Sequence, residues 1–299
     1  MPELPEVETI KRGLVELIIG KKIKTISVLN SPKSLRASKN DLDVFVINHK
    51  ISNINRRGKA LIIALDSDYA FLVHLRMTGQ LVYREKDFNF GAGHPNDSLI
   101  GNLPDKTTRI IVEFTDDSKL FFNDQRKFGY FKLMPKDEVE NDSFIKKLGP
   151  EPLGVNKSIT EQFIKRIRKR NNSAVKAAIL DQSVIAGIGN IYADEALFDA
   201  AIDPRSRAAA LSQDQSKQLL LSACKVMDAS IDSGGSTMAT YLRADGSKGN
   251  YLEKFAQVFR RENLACQRCG DTIIKIRVAG RGTHLCPNCQ KLITEPKDD

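Results

Sequence analysis

The chain has 299 residues, 41% of them hydrophobic, and its formal charge is +9 at pH 7. The length is enough for one large domain or two, and the apolar fraction can supply real cores. The positive charge favours an anionic partner, nucleic acid first, although a protein can be basic without binding one. The charged start lacks a secretory core and acidic residues interrupt the apolar runs, so we expect a cytoplasmic protein with no membrane segment.

The first ten residues, MPELPEVETI, open a predicted helix that continues to residue 18. Apolar residues between Val7 and Ile18 recur at helical spacing, and Gly20 follows them as a stop signal. Proline and acidic residues are ordinary at a helix start, where they suit the unfilled N–H groups and the helix dipole. A purely structural role is therefore one interpretation of this segment.

The other interpretation is that the start carries chemistry. Removal of Met1 would leave Pro2 as a free secondary amine, which is partly unprotonated at neutral pH and therefore nucleophilic. Glu3 and Glu6 lie beside Pro2 and can accept or donate protons. The helix would hold the amine on a rigid element.

The first half of the chain is rich in strand-like segments of Val, Ile, Leu and Phe. A polar turn at 115–118 reads as a hairpin, and the Gly-, Asn- and Pro-rich stretch 87–105 is predicted to be a long surface loop. We expect an N-terminal β-sandwich with flanking helices, occupying residues 1–147. The predicted strands are 22–29, 44–48, 60–66, 69–75, 109–114 and 120–122.

Basic residues collect at predicted strand ends, in residues 56–59, 74–79 and 124–129. Loops at strand ends are a usual place for function. Each cluster alone is typical of a solvated edge. Three in one domain, two of them containing Met or Phe, favour a surface that grips a nucleic-acid backbone and inserts an apolar wedge between bases.

Residues 148–154, LGPEPLG, form a turn-rich linker after which the chain becomes helical. Ser158 and Glu161 fit a capping box, and Asn190 is predicted to cap a helix that runs to Ala200. The turn before it, AGIG, can aim amide N–H groups at a phosphate, although an ordinary helical hairpin is the more frequent meaning of this pattern. We assign residues 148–255 to a helical domain.

Four cysteines near the C-terminus supply the most specific local signal. They are spaced as Cys-x2-Cys-x16-Cys-x2-Cys, which is the pattern of a closed tetrahedral zinc site. The predicted ligands of one structural Zn²⁺ are Cys266, Cys269, Cys286 and Cys289, in a β-hairpin finger at 256–291. Arg281 lies between two glycines at the tip of this hairpin and is suited to a phosphate.

Taken in order, these motifs resemble the formamidopyrimidine-DNA glycosylase family over the whole chain. The resemblance is carried by MPELPEVET at the start, RGK at 57–59, HLRM at 74–77, RKFG at 126–129, LGPEPL at 148–153, GIGNIYA at 187–193 and the finger with GRGT at 280–283. Any one of these motifs could arise by chance, but all of them in this order would be very rare by chance.

The resemblance implies a multidomain α+β enzyme of bacterial base excision repair. Its parts are the β-sandwich, a helix–two-turn–helix domain and a zinc finger, with damaged double-stranded DNA between them and the lesion flipped out of the duplex. The enzyme would excise oxidised purines such as 8-oxoguanine through a Schiff base and cleave the strand by β,δ-elimination. A monomer, associated with the nucleoid and without an obligatory protein partner, is expected.

The family's residue roles carry over to matching positions of this sequence. Pro2 is the nucleophile and Glu3 the proton donor, while Lys59 and Arg281 serve β- and δ-elimination or act as phosphate clamps. Arg126 would face the orphaned cytosine. The residues expected at the DNA or beside the nucleophile are Glu6, Met77, Arg126, Phe128, Lys176, Asn190 and Tyr192.

This chain also departs from the family pattern. Where many members have Lys-His-Asp-His, residues 106–109 read KTTR, so a histidine contact to DNA is absent or replaced. Ala239 stands where a lysine is frequent, and residues 259–261 read FRR in place of Tyr-Gly-Arg. Some phosphate contacts and the loop over the damaged base are affected by these changes.

Two other functions compete with this interpretation. An endonuclease VIII relative would prefer oxidised pyrimidines and shares the Pro2-Glu3 start, but its opening usually differs after Glu3. A non-catalytic zinc-finger DNA-binding protein explains the charge and the finger but gives no reason for Pro2, Glu3 and Lys59.

Overall fold

The structure is a computed structural model and is described for residues 1–86, 88–94, 97–99, 101–234 and 255–295. Two compact units are present: residues 1–146 form the body of the first, and 147–232 with the described residues from 255 onward form the second. Among the described residues, no helix has the length and apolar character needed to cross a bilayer.

Helix α1, Leu4–Ile18, confirms the helix predicted at the start of the chain. Its apolar stripe is buried completely at Val7, Ile10 and Leu14, where it packs into the core of the first unit. The helix ends before Gly20, which has a φ of 81° that residues with a Cβ rarely adopt.

Two five-stranded sheets form the sandwich of the first unit. Their orders are β1-β8-β9-β6-β7 and β2-β10-β5-β4-β3; all pairs are antiparallel except β2 with β10. The strands are β1 Ile23–Val28, β2 Leu35–Arg36, β3 Ile51–Arg57, β4 Ala60–Leu65, β5 Tyr69–His74, β6 Gly79–Glu85, β7 Phe88–Gly93, β8 Thr108–Phe114, β9 Lys119–Asp124 and β10 Tyr130–Pro135.

The core lies between these sheets and α1. Alternate residues of β8, such as Ile110, Val112 and Phe114, are buried in one core with Phe122 of the adjacent strand β9 and Phe131 of β10 in the other sheet. This packing leaves the loops at the strand ends on a rigid frame, where they present the predicted site residues.

Two predictions for this unit are wrong. Residues 44–48, predicted as a strand, are the end of helix α2, Lys39–Phe45, and the turn after it. Ser38 caps this helix by accepting the Asp41 N–H at 3.0 Å. The predicted loop 87–105 contains strand β7, whose glycines resemble a turn signal in the sequence. Gly93 is needed there because a Cβ would lie 2.5 Å from the Gly79 carbonyl oxygen of the paired strand β6.

The second unit is helical, as predicted. Its helices are α3 Lys157–Arg168, α4 Val175–Leu180, α5 Asn190–Asp199 and α6 Gln213–Asp232. Asn156, rather than Ser158, caps α3 by accepting the Ile159 N–H at 3.0 Å. Asn190 is the first residue of α5 and Gly189 its cap, so the predicted cap lies one position too late.

The C-terminal finger contains a two-stranded antiparallel hairpin, β11 Ile274–Val278 and β12 Arg281–Leu285. Ala279 and Gly280 turn the chain in left-handed conformations, with φ values of 47° and 78°. The α+β architecture of sandwich, helical domain and zinc finger is confirmed. The limits 1–147, 148–255 and 256–291 stay a prediction.

Candidate functional site

The predicted nucleophile and acid are buried at the start of α1. Pro2 is buried, and Glu3 and Glu6 are exposed by only 3% and 6%. The Glu3 backbone N–H donates to Glu6 Oε2 at 2.8 Å, which satisfies a helix-start donor and orients the Glu6 carboxylate. Met1, by contrast, is half exposed. Pro2 and the two residues that carry carboxyl groups are therefore all shielded from water at the start of the helix.

Lys59 lies in the tight turn between β3 and β4 and is only 6% exposed. This turn is joined to α1 by an ion pair between Arg56 Nε and Glu8 Oε2 at 3.0 Å. Arg56 also donates to the Gly58 carbonyl oxygen at 3.0 Å. Burial by itself would raise the pKa of Glu8, but its bonds to Arg56 and Lys11 outweigh burial and lower it. The charged pair therefore fixes the Lys59 turn relative to the helix that carries Pro2.

His74, at the end of β5, is a buried neutral group of the same unit. Burial, followed by the charges of Arg76 and Lys59, lowers the pKa of His74 to about 3. Its Nδ1 accepts the Arg76 backbone N–H at 3.0 Å. An uncharged ring beside Lys59 avoids a second positive charge at that point.

The predicted wedge residues lie on two loops of the sandwich. We call residues 75–78 the first wedge loop and residues 125–129 the second wedge loop. Met77 on the first is 37% exposed and Phe128 on the second is 54% exposed, so both present apolar surface to solvent. Arg126 is exposed, with its guanidinium 5.0 Å from the centre of the Phe128 ring.

Lys176, which the resemblance places near the DNA backbone, has internal partners in this structure. Its side chain is fully buried, with Nζ 2.6 Å from Asp194 Oδ1. The ammonium also donates to the Gly282 carbonyl oxygen at 3.0 Å and to Thr283 Oγ1 at 2.8 Å. A direct phosphate contact would require this buried ion pair to open. The internal contacts fix the backbone next to Arg281, and a DNA contact of Lys176 stays a prediction.

Tyr192 likewise faces the interior. The ring is fully buried in α5, and its hydroxyl lies 2.5 Å from Ser230 Oγ of α6. Its hydroxyl has an internal partner in the helical unit, and a DNA contact of Tyr192 stays a prediction. Asn190 is half-buried and donates from Nδ2 to the Gly282 carbonyl oxygen at 3.1 Å, which leaves it at the edge of the same unit.

The hairpin tip is anchored by a network that sequence reasoning missed. Asp194 Oδ2 accepts the His284 backbone N–H at 2.9 Å and lies 3.1 Å from His284 Nδ1. The other ring nitrogen lies 3.2 Å from Glu262 Oε2. Arg281 remains exposed just ahead of these anchored residues. The network gives His284 a structural role and agrees with its omission from the metal ligands.

The four cysteines meet as the spacing predicts. Their Sγ atoms all lie within 4.8 Å of one another, with Cys266 to Cys289 at 3.8 Å and Cys269 to Cys286 at 3.5 Å. Ligands about 2.3 Å from a tetrahedral zinc lie roughly 3.8 Å apart, so the cluster fits this ion. A structural zinc held by these thiolates stabilises a small core that includes Phe198 and Ile273.

The divergent segment 106–109 has a structural explanation. Arg109 is buried and donates from Nε to the Asp124 carbonyl oxygen at 2.8 Å. Thr107 accepts the Asp124 backbone N–H through its carbonyl oxygen, also at 2.8 Å. These residues support the base of the second wedge loop. Ala239 lies outside the described residues.

Comparison with known proteins agrees with this architecture. Three family models match the chain: the N-terminal domain of formamidopyrimidine-DNA glycosylase at residues 1–131, its H2TH domain at 148–241, and a zinc finger found in FPG and IleRS at 264–292. The fold and the thiolate cluster define a DNA glycosylase with a β-sandwich, a helix–two-turn–helix domain and a zinc finger.

Individual relatives cover nearly the whole chain. The formamidopyrimidine-DNA glycosylases of Pelotomaculum thermopropionicum and Cytobacillus firmus are 39% and 38% identical, over 98% and 97% of this chain and 100% of each relative. The Lactococcus lactis enzyme in complex with a DNA containing Fapy-dG superposes with a TM-score of 0.82 at 33% identity, covering 97% of this chain and 100% of that one. The chain belongs to the formamidopyrimidine-DNA glycosylase family, a family of DNA repair enzymes.

Proposed function

We propose that this DNA glycosylase is bifunctional: it excises oxidised purines from double-stranded DNA and then cleaves the strand as an AP lyase. The observation that carries the proposal is the buried start of α1, where Pro2, Glu3 and Glu6 lie together. Helix capping alone does not require burial, and burying two carboxyl groups is costly because ionisable groups leave water, so the burial favours a chemical role for this helix start.

The nucleophile is proposed to be the Pro2 nitrogen after hydrolysis of the Met1–Pro2 bond. In the peptide bond the nitrogen lone pair is delocalised, whereas the freed secondary amine can attack a sugar carbon. Its lone pair forms a bond to C1′ of the lesion nucleotide, and the base leaves with the electrons of the glycosidic bond and a proton. The attached nitrogen loses its proton, its lone pair opens the C1′–O4′ bond, and O4′ takes up a proton, which leaves an iminium at C1′. The iminium withdraws electrons from C2′, so that loss of a C2′ proton expels the 3′-phosphate.

The supporting roles follow from charge and burial. Glu3 is the proposed proton donor for base release, since its carboxyl is shielded and lies next to the nucleophile in sequence. Lys59 is proposed for β-elimination and Arg281 for δ-elimination, in which the 5′-phosphate leaves; both cations can also stabilise the departing phosphates. Hydrolysis of the imine returns the amine. Zinc supplies folding energy to the finger and takes no part in these steps.

Damaged DNA is the proposed substrate because of the charge of +9, the exposed wedge residues and the family. The Lactococcus lactis relative has been solved with an abasic-site DNA, at a TM-score of 0.81 and 32% identity. Such a substrate implies work at the bacterial nucleoid. We propose that the enzyme acts on oxidised purines rather than on the oxidised pyrimidines that endonuclease VIII prefers.

Borohydride trapping tests the proposal, because it reduces an iminium to a stable amine. We expect a covalent complex with duplexes containing 8-oxoguanine opposite cytosine. The matched control is a Pro2→Gly variant in which a blocking residue is left in front of the glycine. It has no free amine at position 2, so we expect no trapping from that position. Absence of trapping by the natural protein would refute the nucleophile, and faster turnover of thymine glycol than of 8-oxoguanine would refute the lesion class.

A further inference from the structure

The two wedge loops have a strained backbone. Arg76 in the first wedge loop has a φ of 54°, and Lys127 in the second has a φ of 60°. Residues with a Cβ rarely adopt such left-handed conformations, so the surrounding structure must hold the loops in place. Gly129, which ends the second wedge loop, is confined as well: a Cβ there would lie 2.6 Å from the Phe122 ring and 3.0 Å from the His74 carbonyl oxygen.

A single buried carboxylate spans the second wedge loop. Asp124 ends β9 and is fully buried. Its Oδ2 accepts the Gly129 N–H at 2.7 Å, and its Oδ1 accepts the Arg126 N–H at 3.2 Å. Both ends of the loop are thereby bound to one side chain. A carboxylate suits this position because each of its oxygens accepts and neither needs a donor hydrogen.

Thr78 connects this carboxylate to the first wedge loop. The Thr78 hydroxyl donates to Asp124 Oδ1, and its oxygen accepts the Arg126 N–H at 3.0 Å. Thr78 directly follows Met77 in the chain. The position of Met77 is therefore coupled to the positions of Arg126 and Phe128 through two buried side chains.

We propose that Asp124 and Thr78 are positioning residues for recognition of the base opposite the lesion. They fix the backbone from which Arg126 extends and keep Met77 and Phe128 in a single arrangement. This inference rests on the proposed function, because it requires that Arg126 faces the unpaired base. The carboxylate does not touch DNA; it acts through the loop that does.

Asp124→Asn and Thr78→Val remove the coupling in two different ways. The Arg126 and Gly129 N–H groups point at different oxygens of the Asp124 carboxylate, so in asparagine one of them faces the amide NH2, which is itself a donor. Valine preserves the shape of Thr78 without the bridging hydroxyl, whereas Thr78→Ser retains it. Asp142→Asn is a matched control: Asp142 is also buried in the first unit and accepts a backbone N–H, that of Phe144 at 2.8 Å.

The test is single-turnover base release from 8-oxoguanine placed opposite cytosine and opposite adenine. For Asp124→Asn and Thr78→Val, we expect the preference for cytosine to fall at least tenfold, with Thr78→Ser and Asp142→Asn close to the natural protein. Borohydride trapping on an abasic duplex requires no base release, so it shows whether each variant is folded and keeps its nucleophile.

The outcomes separate the two proposals. An unchanged cytosine-to-adenine ratio in folded Thr78→Val protein overturns the positioning role, and so does an equal fall in Asp142→Asn. If Asp124→Asn does not fold, Thr78→Val decides the question. Failure of the natural protein to trap on abasic DNA contradicts the proposed function instead, whatever the variants do.

Discussion

Replacing Lys176 with methionine should destabilise the second unit strongly. Methionine retains most of the length and apolar surface of lysine but removes the charge that faces Asp194. Both side chains of this pair are completely buried, and their charged atoms lie 2.6 Å apart. The variant therefore leaves a carboxylate in the interior without its cation.

The magnitude follows from what remains around Asp194. Removing one partner of a buried ion pair costs about 3–5 kcal/mol, since an uncompensated charge stays behind. Asp194 keeps the two contacts with His284, at 2.9 and 3.1 Å. We therefore expect the lower end of the range, a loss of about 3 kcal/mol in the free energy of unfolding.

Urea unfolding, followed both by far-UV circular dichroism and by zinc release, measures this loss. The matched control is Lys225→Met, which breaks a 2.7 Å ion pair between Lys225 and Asp199. The Lys225 side chain is 72% exposed, so this variant should lose less than about 1 kcal/mol in the free energy of unfolding. Adding Asp194→Asn to Lys176→Met removes the buried charge and should restore part of the stability. A loss from Lys176→Met no greater than that from Lys225→Met would refute the reasoning.

Three further predictions concern pH, metal and salt. The pKa of His74 is about 3 in the folded chain and near 6.5 in the unfolded chain. Between these pH values only the unfolded chain binds the proton, so stability should fall as the pH drops from about 6.5 toward 3. The melting temperature of His74→Asn should depend less on pH over that range. Cys266→Ser should lose its zinc and bind DNA more weakly, as measured by metal analysis and titration, while Cys224→Ser keeps one zinc per chain; equal zinc loss in both would contradict the site. DNA affinity should fall steeply with salt, and Arg281→Gln should reduce the slope of log K against log salt by about 1; an unaltered slope would remove Arg281 from the phosphate contacts.

Local patterns accounted for much of the fold. The apolar spacing of α1 and the hairpin turn before β9 depend on neighbours within a few residues, and both were predicted correctly. Residues 44–48 were misread because a short apolar run does not distinguish a strand from a helix end. Strand β7 was missed because its glycines signal a turn in the sequence, whereas in the sheet they allow close approach to β6.

The networks around the candidate site could not be read from local spacing. Thr78 and Asp124 are 46 residues apart, and Asp194 and His284 are 90 apart. No periodicity relates such positions, and each residue by itself is typical of a turn, a strand end or a helix surface. Their partnership becomes visible only when the strands and helices that carry them are packed.

The sequence by itself determined the family and the zinc ligands, because ligand spacing and ordered motifs are properties of the linear chain. The tertiary structure decided which polar side chains face water and which are buried. Lys176 and Tyr192 read as surface residues for phosphate, yet they are buried with Asp194 and Ser230 as internal partners. A lysine that stays charged needs an opposite charge to offset the cost of its burial, and that condition depends on what packs against it in space.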